Sequence, residues 1–130
     1  MEQQSLEERL AAGELDAALV RLYGGDRTGE ARDRLARVLT GFQKTFGCPA
    51  EAVFSAPGRT EIGGNHTDHQ HGRVLAASVD LDILAAAAPN QSGMIRVQSQ
   101  GYPLMVVDLR ELSPRPEEEN TSAALIRGVA

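Results

Sequence analysis

The sequence has no tryptophan, only two tyrosines and three phenylalanines in 130 residues. Any core it builds must therefore be aliphatic and alanine-rich. Cysteine occurs once, at Cys48, which excludes an internal disulfide and points to a reducing compartment. That thiol has no activating neighbour in the sequence and reads as inert. A basic excess is also missing. The formal charge is −5, which argues against nucleic acid as a partner, because phosphate binding requires a basic stripe. No apolar run is long enough to span a bilayer. Met1 leads straight into Glu2-Gln3-Gln4-Ser5, without the basic and then apolar regions of a secretion signal. No membrane association is expected, and the expected location is cytoplasmic. Asn65, Asn90 and Asn120 begin Asn-x-Ser/Thr sequons, which carry no meaning for glycosylation without such a signal. What the composition leaves is a globular chain with room for one ordinary core.

What is present falls into helices first and strands second. Ser5-Leu6-Glu7-Glu8 is a capping box ahead of Leu10 and Ala11, with Gly13 as the stop of a short helix. Leu15, Ala18, Leu19 and Leu22 lie on one face of a second helix, Glu14 to Tyr23, broken at Gly24-Gly25-Asp26. Ala31, Leu35, Val38, Leu39, Phe42 and Phe46 form a single stripe on a third, which Gly47 and Cys48-Pro49 end. These helices read as covers for a sheet. Ala52 to Ala56 is β-like and is expected to stop at Pro57-Gly58. Val74 to Ala88 is assigned to a strand because Val79-Asp80-Leu81-Asp82-Ile83 has a strict period of two. Pro89 to Gly93 and Gly101 to Pro103 are turns around strands at Met94–Gln100 and Leu104–Asp108. The expected class is α+β, with helices over an antiparallel meander. Ser113 to Asn120, rich in proline and glutamate, reads as a solvated linker. Thr121 to Ala130 begins a helical pattern that the chain leaves without a closing cap, as a truncated protein would.

The stretch from Ser55 to Leu75, SAPGRTEIGGNHTDHQHGRVL, resembles no core element. Its glycines allow a ligand close to the backbone, and Arg59, Glu61, Asn65, His66 and Asp68 sit between them. Arg59 offers a permanently charged fork for carboxylate or phosphate. Asp68 offers acceptors for hydroxyls. His66 and Asn65 can each donate or accept. Such a set suits a polyhydroxylated molecule with an anionic group beside the arginine. It equally suits an Arg59–Asp68 ion pair that merely holds a loop. His66, Asp68, His69 and His71 could hold zinc or nickel, but their spacing fits no standard pattern and no metal is expected. Glu61 and Asp68 do not make a convincing acid–base pair, and neither a P-loop nor a dinucleotide fingerprint occurs.

Ala56-Pro57-Gly58-Arg59, then Gly64, His66-Thr67-Asp68, Gly72 and Val74-Leu75, resembles the galactokinase signature. That signature runs roughly A-P-G-R-x-N-x-I-G-E-H-T-D-Y, followed by a glycine and V-L-P. Phe42-Gln43, Phe46-Gly47 and Leu125 to Val129 (LIRGV) extend the likeness, which covers about residues 40 to 130. Residues 1–39 are expected to be a helical amino-terminal extension, and 40–130 a truncated galactose-binding portion. The sequence departs from the pattern at Asn65, where Glu is usual, and at Glu61, where Asn is usual. His69 stands in place of Tyr and Ala76 in place of Pro.

The resemblance implies a partial amino-terminal domain of the GHMP kinase superfamily, of the ribosomal protein S5 domain 2-like kind. It implies a parent enzyme that converts ATP and D-galactose to galactose 1-phosphate and ADP with Mg²⁺. The alternative is a non-catalytic, galactose-sensing relative. By the same resemblance Asn65, His66 and Asp68 bond galactose hydroxyls, with Thr67, Glu61 and Gly64 completing the substrate site. Arg59 steadies the transferring phosphoryl group. Neither ATP nor Mg²⁺ is expected on this chain alone, because the family's phosphate-cradling glycine-serine motif and downstream base do not occur in it. The expected partner is a small sugar. The chain by itself is expected to be inactive and to form a homodimer through uncovered apolar faces, whereas the parent is expected to be a monomer.

Overall fold

The structure is a computed structural model and describes residues 4–64 and 71–130. The chain divides into two compact units, Met1–Ala88 and Pro89–Ala130. The class is α+β, with helices and small antiparallel sheets.

In the first unit three helices precede a hairpin. Helix α1 (Leu6–Ala11) carries the capping box. Ser5 Oγ accepts from the Glu8 amide at 3.2 Å, and the Glu8 carboxylate accepts from the Ser5 amide at 2.9 Å. Two otherwise orphaned donors at the helix start are thereby satisfied. Helix α2 (Asp16–Tyr23) follows, then a 3₁₀ turn at Gly25–Arg27, then α3 (Thr28–Phe46). The stripe expected on α3 is its buried face: Ala31, Leu35 and Leu39 are buried, and Phe42 packs against the same cluster. Leu10, Leu19 and Ala50 complete that core, with Leu39 at its centre and no exposed surface. Burying one such leucine contributes about 1.5–3 kcal/mol. Arg32 ties the helices together, donating to the Asp16 carboxylate at 2.8–2.9 Å and to the Leu10 carbonyl at 2.9 Å.

The hairpin consists of β1 (Ala52–Gly63) and β2 (Leu75–Ala87), paired antiparallel from Ala52↔Ala87 to Gly63↔Leu75. Its base lies on the core through Val53, Leu84 and Ala86. Pro57-Gly58 does not stop β1, contrary to the sequence expectation. The register slips there instead, so that Pro57 pairs with Asp82 and Arg59 with Ser78. In a two-stranded sheet a proline can sit at such an irregularity without removing a ladder hydrogen bond.

The second unit holds a regular short hairpin, β3 (Met94–Val97) with β4 (Met105–Asp108), and helix α4 (Ser122–Val129). Among the described residues the four strands therefore form two separate two-stranded sheets. They do not form the single meander that the run of turn signals suggested. Turn residues mark where a chain reverses, not which strands then pair. Thr121 caps α4, its hydroxyl accepting from the Ala124 amide at 3.4 Å.

The acidic stretch before α4 is not simply solvated. Pro116–Glu118 forms a 3₁₀ turn, and Glu118 receives Arg127 in a two-pronged pair at 2.7 and 2.8 Å. Arg127 is 5% exposed and also donates to the carbonyls of Asp108 and Glu111. The bonds from Arg127 hold the Glu118 carboxyl below its usual range. No helix of the described residues is long and apolar enough to cross a membrane.

Candidate functional site

The stretch singled out in the sequence lies at the far end of the β1–β2 hairpin. Arg59 and Glu61 stand on β1 beyond the slip in register, paired with Ser78 and Ala76. Two residues apart on a strand, they share a face, and both are exposed. The hairpin base thus rests on the helical core while its outer half offers an arginine and a glutamate side by side.

Two glycines in this stretch are required by space. A Cβ on Gly58 would lie 2.9 Å from Val79 Cγ2, so the close approach of the strands at the register slip excludes a side chain. Gly64 has φ 115°, where L-residues are strained, and a Cβ there would meet the Arg73 carbonyl oxygen at 2.6 Å and Val74 Cα at 2.7 Å. The two strands therefore close together where residue 64 meets residues 73–74, immediately outside the segment that bears the polar signature. Asn65, His66, Thr67 and Asp68, named from the sequence as sugar contacts, lie outside the described residues, as does His69. His71 is described and has φ 61°.

Sequence reasoning missed the polar centre beneath the hairpin. Asp82 on β2 accepts hydrogen bonds from Tyr23 Oη of α2 at 2.6 Å and from Ser55 Oγ of β1 at 2.5 Å. Arg34 of α3 pairs with the same carboxylate, and its second nitrogen donates to the Asp82 carbonyl at 2.8 Å. The Asp82 side chain is 9% exposed. Burial pushes its carboxyl up, but the bonds from Ser55, Tyr23 and Arg34, with the charge of Arg34, outweigh that and hold it at about 2. Burial, and then the bond to Asp82, pushes the Tyr23 phenol up, so Tyr23 is the donor. Arg27 pairs with Asp80, one step nearer the hairpin tip and far more exposed. Together with Pro57 these residues line a cavity of about 440 Å³. The signal available in the sequence was the pair Asp80 and Asp82 at period two. Strand alternation does not name partners that come from helices about 50 residues earlier.

Comparison with known proteins places a family signature on this hairpin. The galactokinase galactose-binding signature matches residues 40–89, from the last turns of α3 through β2. Two galactokinases, from Lacticaseibacillus casei (strain BL23) and Lacticaseibacillus paracasei (strain ATCC 334), are each 36% identical to this chain over 73 residues. Those residues make up 55% of this chain and 19% of each relative, so the chain matches about a fifth of the length of these curated relatives. No solved structure matches the chain.

Proposed function

We propose that this chain is the sugar-recognition portion of a galactokinase. The parent reaction transfers the γ-phosphoryl group of ATP to D-galactose and yields galactose 1-phosphate and ADP. The observation that carries this reading is the match of the galactose-binding signature to residues 40–89, the stretch in which Arg59 and Glu61 stand exposed at the outer half of the hairpin. In this reading Asn65, His66, Thr67 and Asp68 hydrogen-bond sugar hydroxyls, with Glu61 and the tight backbone at Gly64 shaping the edge of the site. Arg59 supplies a fixed positive charge beside the anionic group. ATP and Mg²⁺ serve the parent enzyme in the cytoplasm. Residues 1–39 act as a helical support for the binding portion, 40–130, which belongs to a GHMP-type amino-terminal domain.

A second reading, a galactose-binding relative without kinase activity, is favoured by Asn65 and Glu61. Each departs from the residue usual in the signature. An amide at 65 keeps an acceptor but loses a charge. Calorimetric titration of galactose and related sugars against this chain, and against the full-length parent, tests the shared claim. Galactose binding that disappears in Asp68→Ala while the fold survives supports it; no binding to either protein overturns it. In the parent, Arg59→Ala is expected to lower turnover more than sugar affinity. Absence of galactose-dependent ADP release from an intact parent would favour the non-catalytic relative.

A further inference from the structure

We infer that Asp82 is a positioning residue for the sugar site: it clamps the hairpin to the preceding helices at the register slip that aims Arg59 and Glu61. Three observations carry this, and the sugar arm rests on the function proposed above. The first is where the clamp sits. Asp82 is the strand partner of Pro57, the last pair before the slip, and Arg59 is paired immediately after it. Fixing Asp82 therefore fixes the hairpin at the point where β1 changes register.

The second is what the clamp joins. One carboxylate gathers Tyr23 from α2, Arg34 from α3 and Ser55 from β1. Arg34 also holds the backbone carbonyl of Asp82, so the strand itself is tied, not only its side chain. Tyr23 and Arg34 precede the matched signature, which begins at residue 40. Side chains that precede the signature thus reach the hairpin inside it through a polar contact of defined direction, which apolar packing at the base does not supply.

The third is where the apolar core contacts of the hairpin lie. The core residues of the hairpin, Val53, Leu84 and Ala86, lie toward its base. Beyond Asp82 the helices reach the hairpin through the exposed Arg27–Asp80 pair, which contributes little orientation of its own. Without the clamp, the outer half of the hairpin would be free to twist about its base. The fold would persist, and Arg59 and Glu61 would no longer be held in one position.

Hydrogen exchange by mass spectrometry on the whole chain, together with galactose titration, tests this in Asp82→Asn, Tyr23→Phe and Asp80→Asn. Asp82→Asn is expected to speed exchange across Arg59–Glu61 by about 10-fold more than in Leu35–Leu39 of α3, and to weaken galactose binding by a similar factor. Tyr23→Phe, which removes one of the three side-chain bonds, should give roughly a 3-fold change in the same places. It decides the question if Asp82→Asn does not fold. Asp80→Asn should match the wild type. Unchanged exchange at Arg59–Glu61 in a folded clamp variant overturns the inference, as does an equal rise through α3, which would mark simple global destabilisation. If the wild type does not bind galactose, the proposed function fails, and the exchange measurement still decides whether Asp82 positions this stretch.

Discussion

The two faces of the β1–β2 hairpin differ in a way that inverts the usual pattern of a half-buried strand. On one face of β2, Leu84 and Ala86 pack on the helical core and Asp82 receives Tyr23, Ser55 and Arg34. On the other, Leu81 and Ile83 are 76% and 75% exposed, with Phe54 of β1 at 61%. Ile83 is paired with Ala56, and Phe54 with Ala85, so Phe54, Ala56, Ile83 and Ala85 share one apolar face. The aspartates lie toward the helices and the large aliphatics away from them. A period of two establishes that a strand has two unlike faces. It does not say which is covered, because a buried carboxylate with three donors is as satisfied as a buried leucine.

The largest expected effect tests the covered face. Leu39 has no exposed surface and sits where α3 meets the hairpin base. Leu39→Ala should destabilise the chain by about 2–5 kcal/mol, because the lost transfer energy and the cavity add. Ile83→Ala, on the open face, should cost no more than about 0.5 kcal/mol. Urea unfolding of both variants provides the comparison. Equal losses would mean that the outward face is covered in solution and that the contrast between the two faces is false.

How far each face could be read from the sequence follows from the same contrast. The helices were legible because their signals are local: the Ser5–Glu8 box caps α1, and Ala31, Leu35 and Leu39 form one stripe. So was the existence of β2. The path of β1 was not, because Pro57-Gly58 is both a turn signal and a tolerated irregularity between strands. Nor was the division into two hairpins, which depends on pairing across distance. Val79 belongs to the same alternation as the exposed Leu81 and Ile83 but is half-buried, beside the position where Gly58 leaves no room for a side chain. The acidic run before α4 read as solvated because its partner, Arg127, comes from the following helix. At the site, Arg59 and Glu61 were named by motif, whereas Asp82 was not, since its three donors come from three other elements.

The next effect in size is acid sensitivity of the covered face. Asp82 is held at about 2 in the folded chain, against an unfolded value near 3.9. A depressed carboxyl contributes stability that is fully present above the unfolded value and lost as pH falls toward the folded one. The contribution is about 1–2 kcal/mol, reduced from the full linkage value because Arg34 is partly solvated. Asp82→Asn should therefore be less stable than the wild type at pH 6, and the gap should narrow between about pH 4 and pH 2. Denaturant midpoints for both proteins across that range provide the check. A gap that stays constant with pH would show that the carboxylate charge is not what holds the hairpin to the helices.

The smallest effect is expected on the open face and is the more informative for being small. Leu81 and Ile83 keep about three quarters of their surface in water, so replacing them removes little buried area. Threonine is β-branched, a shape that suits a strand, and its hydroxyl can reach solvent there. The double variant Leu81→Thr/Ile83→Thr should therefore stay within about 0.5 kcal/mol of the wild type. Its affinity for galactose should also be unchanged, because neither side chain takes part in the bonds that join Asp82 to Tyr23, Ser55 and Arg34. A loss of more than about 1 kcal/mol in urea unfolding would mean that these side chains are packed against something in solution. The protein concentration dependence of that loss then separates the cases: a dependence identifies a second copy as the cover, and a concentration-independent loss identifies a contact within the chain.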